Sequence, residues 1–340
     1  MKAILVTAPQ NVSLVDVERP ELTNPDDVLV RMTAVGICGS DIHIIHGTHP
    51  YVQYPRIIGH EGAGIIEKVG NNVKNLNVGD PVVIEPVKFC MKCYACRKGR
   101  HNVCKDLKVT GVHEDGTYEE YMLLPAKQVH KYDPSLTPIQ AVLAEPYTIG
   151  AQANARAGTA KDDLVLIHGA GPIGLITCDI AHELGAKCIV SDINEDRLKL
   201  AKKFGACLTI NPQKEDLNTI VMRESNNEGV NVVFDAAGAP GIIENALEIC
   251  SQAGTIVPMT FGSKPVGINF GLVNKKELTI CGTRMENDRF EKVLASFPGR
   301  RDRLDLLVTH TFSIDKYKEA IATSTDKAAK ACKVVMTFEE

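Results

Sequence analysis

A chain of 340 residues with 44% hydrophobic content has the material for a large buried core and exceeds the length at which one core usually divides, so about two domains are expected. Its formal net charge of -4 gives no electrostatic footprint for nucleic acid or an anionic membrane, which sets aside a zinc-ribbon nucleic-acid reader. The opening MKAILVTAPQNVSLVD has too short an apolar run for a secretory signal and no later segment reaches transmembrane length, so a cytoplasmic protein is expected, in which some of the 11 cysteines bind metal and others are small buried hydrophobes.

From residue 1 to about 135, short β-rich runs such as VLVRMTAVGI, GAGIIEKVG and PVVIEPV alternate with turns rich in Gly, Pro and Asn, the pattern of a compact barrel or folded sheet. Here GICGSDIHIIHG and IIGHEGAGIIEKVG carry Cys38, His60 and the adjoining Glu61. Cys38 and His60 are too far apart for a local finger, but a folded sheet can bring them together. A Cys, His and carboxylate set leaves a fourth position free, the open form of catalytic zinc. Taken singly, each has a plainer reading, a buried cysteine or a surface His-Glu pair. His43, His46 and His49 are spaced by three in a looped segment, which does not aim them at one point, and they read as ordinary loop histidines.

The stretch CMKCYACRKGRHNVC places Cys90, Cys93, Cys96 and Cys104 in a C-x2-C-x2-C-x7-C pattern. Four thiolates fill the tetrahedron of Zn2+, so an ion here holds a loop and any catalytic centre lies elsewhere. Iron-sulfur runs usually have other spacings and a Pro after one ligand, which Cys104 lacks. The basic run RKGRH reads as a solvated face that compensates the negative cage.

Thr137 and Pro138, an N-cap followed by Pro at the first helical position, open a helix carrying AVLAEPYTIGAQANARAG. From about residue 163, apolar β runs alternate with segments of helical period, which argues for a parallel, doubly wound sheet. Within VLIHGAGPIGL, Gly169, Gly171 and Gly174 form G-x-G-x-x-G between strand and helix, with Pro172 and Ile173 in the turn. The helix N-terminus after it suits a pyrophosphate. Asp192 closes the next strand, where a carboxylate binds ribose hydroxyls and repels a 2'-phosphate, so NAD is expected rather than NADP. Arg197 reads equally as an adenine-stacking residue or an exposed helix charge, and His168 as structural. Past about residue 285 come a helical stretch, LDLLVTHTF, another helix and a closing strand KVVMTF, which rejoin the first domain. The expected division is 1–147, 148–285 and 286–340, without internal repeats.

G-H-E-x2-G-x5-G, here Gly59, His60, Glu61, Gly64 and Gly70, resembles the signature of zinc-containing medium-chain alcohol and polyol dehydrogenases. The likeness takes in the cysteine loop, GDPVVIEP, the Glu145-Pro146 pair, GAGPIG and Asp192, and covers essentially the whole chain. It implies an α/β protein with a GroES-like β-rich catalytic domain and a doubly wound Rossmann domain, using NAD and two Zn2+ per chain. Cys38, His60, Glu61 and Glu145 match the catalytic site, with Glu145 binding zinc directly, through water or in exchange, and the four-cysteine loop matches the structural ion. Ser40 and His43 match a proton relay, and Arg284 an arginine near the cofactor, a surface ion pair being its plainer reading.

Glu145 together with Glu61 points to the sorbitol and threonine dehydrogenase branch, because liver-type enzymes use a cysteine at the late position. GVHEDGTYEEY, AEPYTIGAQAN, LVTHTF and KVVMTF are similar to bacterial hexonate 5-dehydrogenases acting on L-gulonate or L-galactonate, and to starvation-sensing dehydrogenases. The implied reaction is hydride transfer from a secondary alcohol of a small sugar acid to NAD+, in a homo-oligomer, dimer or tetramer. The alternatives are a polyol or L-threonine dehydrogenase and a ligand-sensing protein that keeps the fold. Intact Ser40 and His43 weigh against the last.

Overall fold

In the computed structural model, which describes residues 1–260 and 265–338, the strand Asp27–Gly36 is the backbone of a seven-stranded sheet. Val28, Leu29, Val30, Ala34 and Val35 in it are fully buried, so the strand is apolar on both faces. It pairs antiparallel with Glu61–Val69 along one edge and with Tyr121–Pro125 and then Lys333–Thr337 along the other. The last strand also pairs in parallel with Val308–Ser313, so late and early chain share one sheet. By contact density the chain divides into residues 1–145 with 287–340, and residues 146–286.

The stretch after Thr137 forms two helices, Pro138–Ala141 and Ala144–Ala157, where the sequence suggests one. Thr137 caps the first as expected: its hydroxyl accepts from Gln140 N at 3.2 Å, while Gln140 Oε1 accepts from Thr137 N at 3.0 Å. Pro146 explains the restart. Its missing N–H and its ring are tolerated only in the first turn of a helix, so a fresh helix begins just before it.

Residues 146–286 form the second unit. Its sheet runs Ala206–Ile210, Lys187–Ser191, Leu164–His168, Val230–Asp235, Cys250–Pro258, Thr279–Ile280, with every pairing parallel. This is the doubly wound order, with its switch at Leu164–His168, and ligands of such sheets bind beyond the carboxyl ends of the strands there. Leu166, Ile189, Val233 and Ile256 are fully buried beneath the helices, which is why these strands read as continuous apolar runs. No helix among the described residues is long and apolar enough to cross a membrane.

Candidate active site

Strand register explains why Cys38, His60 and Glu61 meet. Gly36 stands directly opposite Glu61, so Cys38, two residues on, and His60, one residue back, leave the same end of the sheet. A Cβ at Gly36 would come within 2.0 Å of Glu61 Oε2, so only glycine leaves room for the carboxylate. One ligand atom from each of Cys38, His60 and Glu61 lies within 4.8 Å of the others. His60 and Glu61 are buried, and neither His60 Nδ1 nor Glu61 Oε2 has a hydrogen-bond partner. Burial disfavours a charged His60, but the Cys38 and Asp41 charges outweigh it and hold its pKa well above the ordinary value. The pocket therefore favours positive charge, and thiolate, imidazole and an unpaired carboxylate oxygen form a donor set that fits Zn2+ with one position open.

Glu145 is buried in the first turn of Ala144–Ala157 and lies outside this three-donor group. Burial pushes its carboxyl up to about 7, while the charges of His60, Glu61, Lys333 and Asp41 act on it in opposing directions. Ser40 is half-buried in the helix Gly39–Ile45, and the exposed His43 sets Nδ1 2.8 Å from Thr48 Oγ1.

Two residues that sequence reasoning overlooks complete the surroundings. Asp41 is buried; its Oδ2 accepts from Cys38 N at 2.8 Å and Tyr118 Oη at 3.1 Å, and its Oδ1 faces His60 Nδ1 at 3.5 Å. Burial opposes its ionisation, but the His60 charge and these donors prevail and lower its pKa. A carboxylate behind a ligating imidazole fixes the ring's orientation and basicity. Its signal was legible: an acidic residue three positions after a helix N-cap. Lys333, also buried, places Nζ 2.5 Å from Glu61 Oε1 and 3.1 Å from Ile37 O. It reaches them because Val335 stands opposite Gly36 and Ile37 N donates to Val334 O at 2.9 Å. Burial works against its charge, but Glu61 and Cys38 more than compensate. Only a lysine opening an apolar strand hints at it in sequence.

In the same unit, Cys90, Cys93, Cys96 and Cys104 bring their sulfurs together. Cys93 Sγ lies 3.5 Å from Cys96 Sγ and 3.8 Å from Cys104 Sγ. A tetrahedron with Zn–S of about 2.3 Å has thiolates roughly 3.8 Å apart, so the spacing fits a fully ligated ion. Backbone N–H groups point at the sulfurs, from Cys93 to Cys90 and from Cys90 to Cys104, each at 3.3 Å. Hydrogen bonds from the backbone of Cys96 and Lys105 pull the Cys93 thiol down, toward the thiolate a metal requires, while burial and hydrogen bonds with Cys93 and Cys104 push Cys96 up. Arg97, Lys98 and Arg100 are exposed around it.

The second unit carries a cleft of about 830 Å³ at the carboxyl ends of its strands, lined among others by Gly169, Gly171, Asp192 and Arg197. Gly169 has φ +95, and a Cβ at Gly174 would meet Gly169 O at 1.8 Å, so both positions require glycine. Nothing lies within 4 Å of a Cβ built on Gly171, the N-cap of Pro172–Glu183, which leaves the helix end open to a phosphate. Pro172 and Ile173 fill the first helical turn, half-buried. Asp192 Oδ2 accepts from Ala170 N at 2.7 Å, tying the carboxylate to the glycine turn. His168 lines the same cleft, its Nδ1 2.8 Å from Ser191 Oγ, and burial lowers its pKa to about 4. Arg284 sits half-buried after Thr279–Ile280 and does not line this cleft.

Residues 24–134 match the alcohol dehydrogenase GroES-like domain and residues 172–297 the zinc-binding dehydrogenase family. The chain is 37% identical to L-threonine 3-dehydrogenase of Pyrococcus abyssi, over 100% of this chain and 99% of that one. It is 31% identical to L-galactonate-5-dehydrogenase of Escherichia coli K12, over 92% of each. A crystal structure of the alcohol dehydrogenase RspB from Escherichia coli CFT073, complexed with NADH, superposes with a TM-score of 0.92 at 36% identity over 99% of both chains.

Proposed function

The chain belongs to the zinc-type medium-chain alcohol dehydrogenase family and is an NAD-dependent oxidoreductase, and on that premise we propose that its substrate is a sugar acid of the L-gulonate or L-galactonate kind, oxidised at the C5 secondary alcohol. The observation that supports zinc-dependent oxidation of an alcohol is the buried group of Cys38, His60 and Glu61, whose Glu61 Oε2 has no hydrogen-bond partner. These three would hold Zn2+, with Glu145 as an adjacent or exchanging carboxylate; such an ion would supply a Lewis acid that makes an alcohol hydroxyl more acidic, and NAD+ a hydride acceptor.

Asp41 Oδ1, 3.5 Å from His60 Nδ1, would act on the ring through its charge and favour Nε2 as the nitrogen offered to the ion. Ser40 would take the hydroxyl proton while passing its own on through the cofactor ribose, and the exposed His43 would hand a proton to solvent. In the second unit, the helix end at Gly171 would take the pyrophosphate, Asp192 the ribose hydroxyls, and Arg197 would border the adenine, while Arg284, outside this cleft, has only the family resemblance in favour of a cofactor role. The substrate class rests on the likeness to L-galactonate-5-dehydrogenase and on the segments GVHEDGTYEEY and AEPYTIGAQAN.

The higher identity to L-threonine 3-dehydrogenase supports a second reading, oxidation of L-threonine or a polyol. A panel of hexonates, polyols and L-threonine, followed by NADH absorbance with NAD+ and NADP+ in parallel, separates the two. The expected result is the highest kcat/KM with a hexonate and NAD+. Preference for L-threonine or xylitol moves the assignment to the second reading. Failure to reduce NAD+ with every compound, in protein with both metal sites filled, overturns both.

A further inference from the structure

Two helices of the second unit meet beside the cofactor cleft. Leu217–Glu224 starts from the N-cap Asp216, whose Oδ1 accepts from Asn218 N at 3.1 Å, and Ile242–Ile249 starts from Gly241 at φ +85. Leu217 and Val221 of the first, with Ile243, Ala246 and Leu247 of the second, are buried in one apolar cluster that holds the helices together. Beside that cluster two polar residues meet: Asn245 Nδ2 donates to Asn218 Oδ1 at 2.9 Å. Both amides line the same cleft of about 830 Å³ as Gly171 and Asp192.

An amide carries one carbonyl oxygen and one amino group, and a hydrogen bond between two amides engages one of each, whichever way the two are turned. The pair therefore keeps one unengaged donor and one unengaged acceptor, Asn218 Nδ2 and Asn245 Oδ1, neither with another partner among the described residues. Asn218 is exposed and Asn245 half-buried, so both remain within reach of a ligand. Apolar surface accompanies them. Ile193, directly after Asp192, lines the cleft and is 62% exposed, and Ile242 lines it half-buried. With the pyrophosphate at Gly171 and the ribose at Asp192, the lining left for the base includes these isoleucines and the two amides, which is the mixture of apolar wall and few polar groups that a flat heterocycle needs.

We propose that Asn218 and Asn245 read the adenine of the dinucleotide by its 6-amino edge. The 6-amino group donates to the unengaged amide oxygen, the unengaged amide amino group donates to the neighbouring ring nitrogen, and Ile193 and Ile242 offer apolar surface to the ring. This rests on the placement of pyrophosphate and ribose given above and goes beyond it, since the base then has a specific contact as well as an apolar slot. The donor and acceptor side by side on adenine match the pair that the two amides leave over, and side-chain amides meet adenine with the same complementarity where proteins read DNA.

The test is calorimetric titration of the full-length, zinc-loaded protein with NAD+ and with its etheno analogue, in which a two-carbon bridge joins the 6-amino nitrogen to the adjacent ring nitrogen. The bridge removes the polar edge and keeps the ring flat. Wild type is expected to bind NAD+ about tenfold more tightly than the analogue. Asn218→Leu and Asn245→Leu keep the size of the side chain without its polar atoms, and each is expected to bring the two ligands within about twofold by weakening NAD+. Asn218→Asp keeps the hydrogen bond from Asn245 and removes only the unengaged donor, and should leave a preference of about threefold. Equal binding in wild type, a full preference in either Leu variant, a ratio that narrows because the analogue binds better, or an Asn218→Asp variant indistinguishable from wild type overturns the proposal. A lowered Tm with the preference intact does the same, since it marks the pair as a tie between helices only. Asp192→Ala is expected to weaken both dinucleotides alike. If it weakens neither, the placement of the ribose fails and the proposal with it, whereas a preference that ignores the two asparagines while Asp192→Ala weakens both ligands refutes the proposal alone.

Discussion

The four cysteines of the lobe formed by residues 90–104 lie within about fifteen residues of chain and are joined by one turn of helix and backbone N–H groups. Cys38 instead follows the strand Asp27–Gly36, His60 and Glu61 stand at the start of Glu61–Val69, and Lys333 opens Lys333–Thr337, 272 positions from Glu61. The lobe has four identical soft donors and no position to spare. The other group mixes sulfur, nitrogen and oxygen and keeps an unpaired carboxylate oxygen. Local chain builds a closed cage, whereas a position left open requires donors held apart by a sheet that supports each of them separately.

The largest expected effect separates the two outright. Cys38→Ala should remove the ion of the open group and reduce NADH formation by about a thousandfold or more, with thermal stability nearly unchanged. Cys96→Ser should do the opposite, lowering Tm by about 10 °C while the folded fraction keeps kcat within roughly threefold. Metal content by elemental analysis, activity and calorimetry check both. A collapse of activity without loss of stability in Cys96→Ser would break the contrast.

Next comes Lys333→Met, which leaves the Glu61 carboxyl buried without its ammonium partner. It is expected to cost about 3 to 5 kcal/mol of stability in chemical denaturation, with much of the loss recovered in the Lys333→Met, Glu61→Gln double variant. Additive losses would show that the pair is not coupled. Asp41→Asn keeps shape and removes charge, and should weaken zinc in the open group by about 10- to 100-fold in chelator competition without affecting the lobe. Smallest of all, Arg97→Ala with Arg100→Ala should change stability by no more than about 0.5 kcal/mol, since both side chains lie in solvent around the cage.

The doubly wound sheet was legible because its evidence is local: alternating apolar runs and helical segments, and a glycine triplet between strand and helix. The cysteine cluster was legible for the same reason, as a spacing. Cys38 and His60 could be named but not joined by periodicity alone, since what brings them together is Gly36 facing Glu61 across the sheet. Asp41 left a trace at the N-cap spacing, whereas Lys333 left almost none, its partner being distant in the chain. The single helix expected after Thr137 failed at Pro146, where a local rule against proline in a helix interior outweighs apolar periodicity. His49 reads as an ordinary loop histidine because its relation to Tyr51 exists only once the loop is folded.

Lys333 also sets an order of events on the ribosome. The cage can close as soon as Cys104 has emerged, while the open group lacks the cation that neutralises Glu61 until the strand Lys333–Thr337 is made and docks beside Ile37. The cysteines of the cage are thus all present early in synthesis, whereas Glu61 can gain its ammonium partner only when the last strand is made.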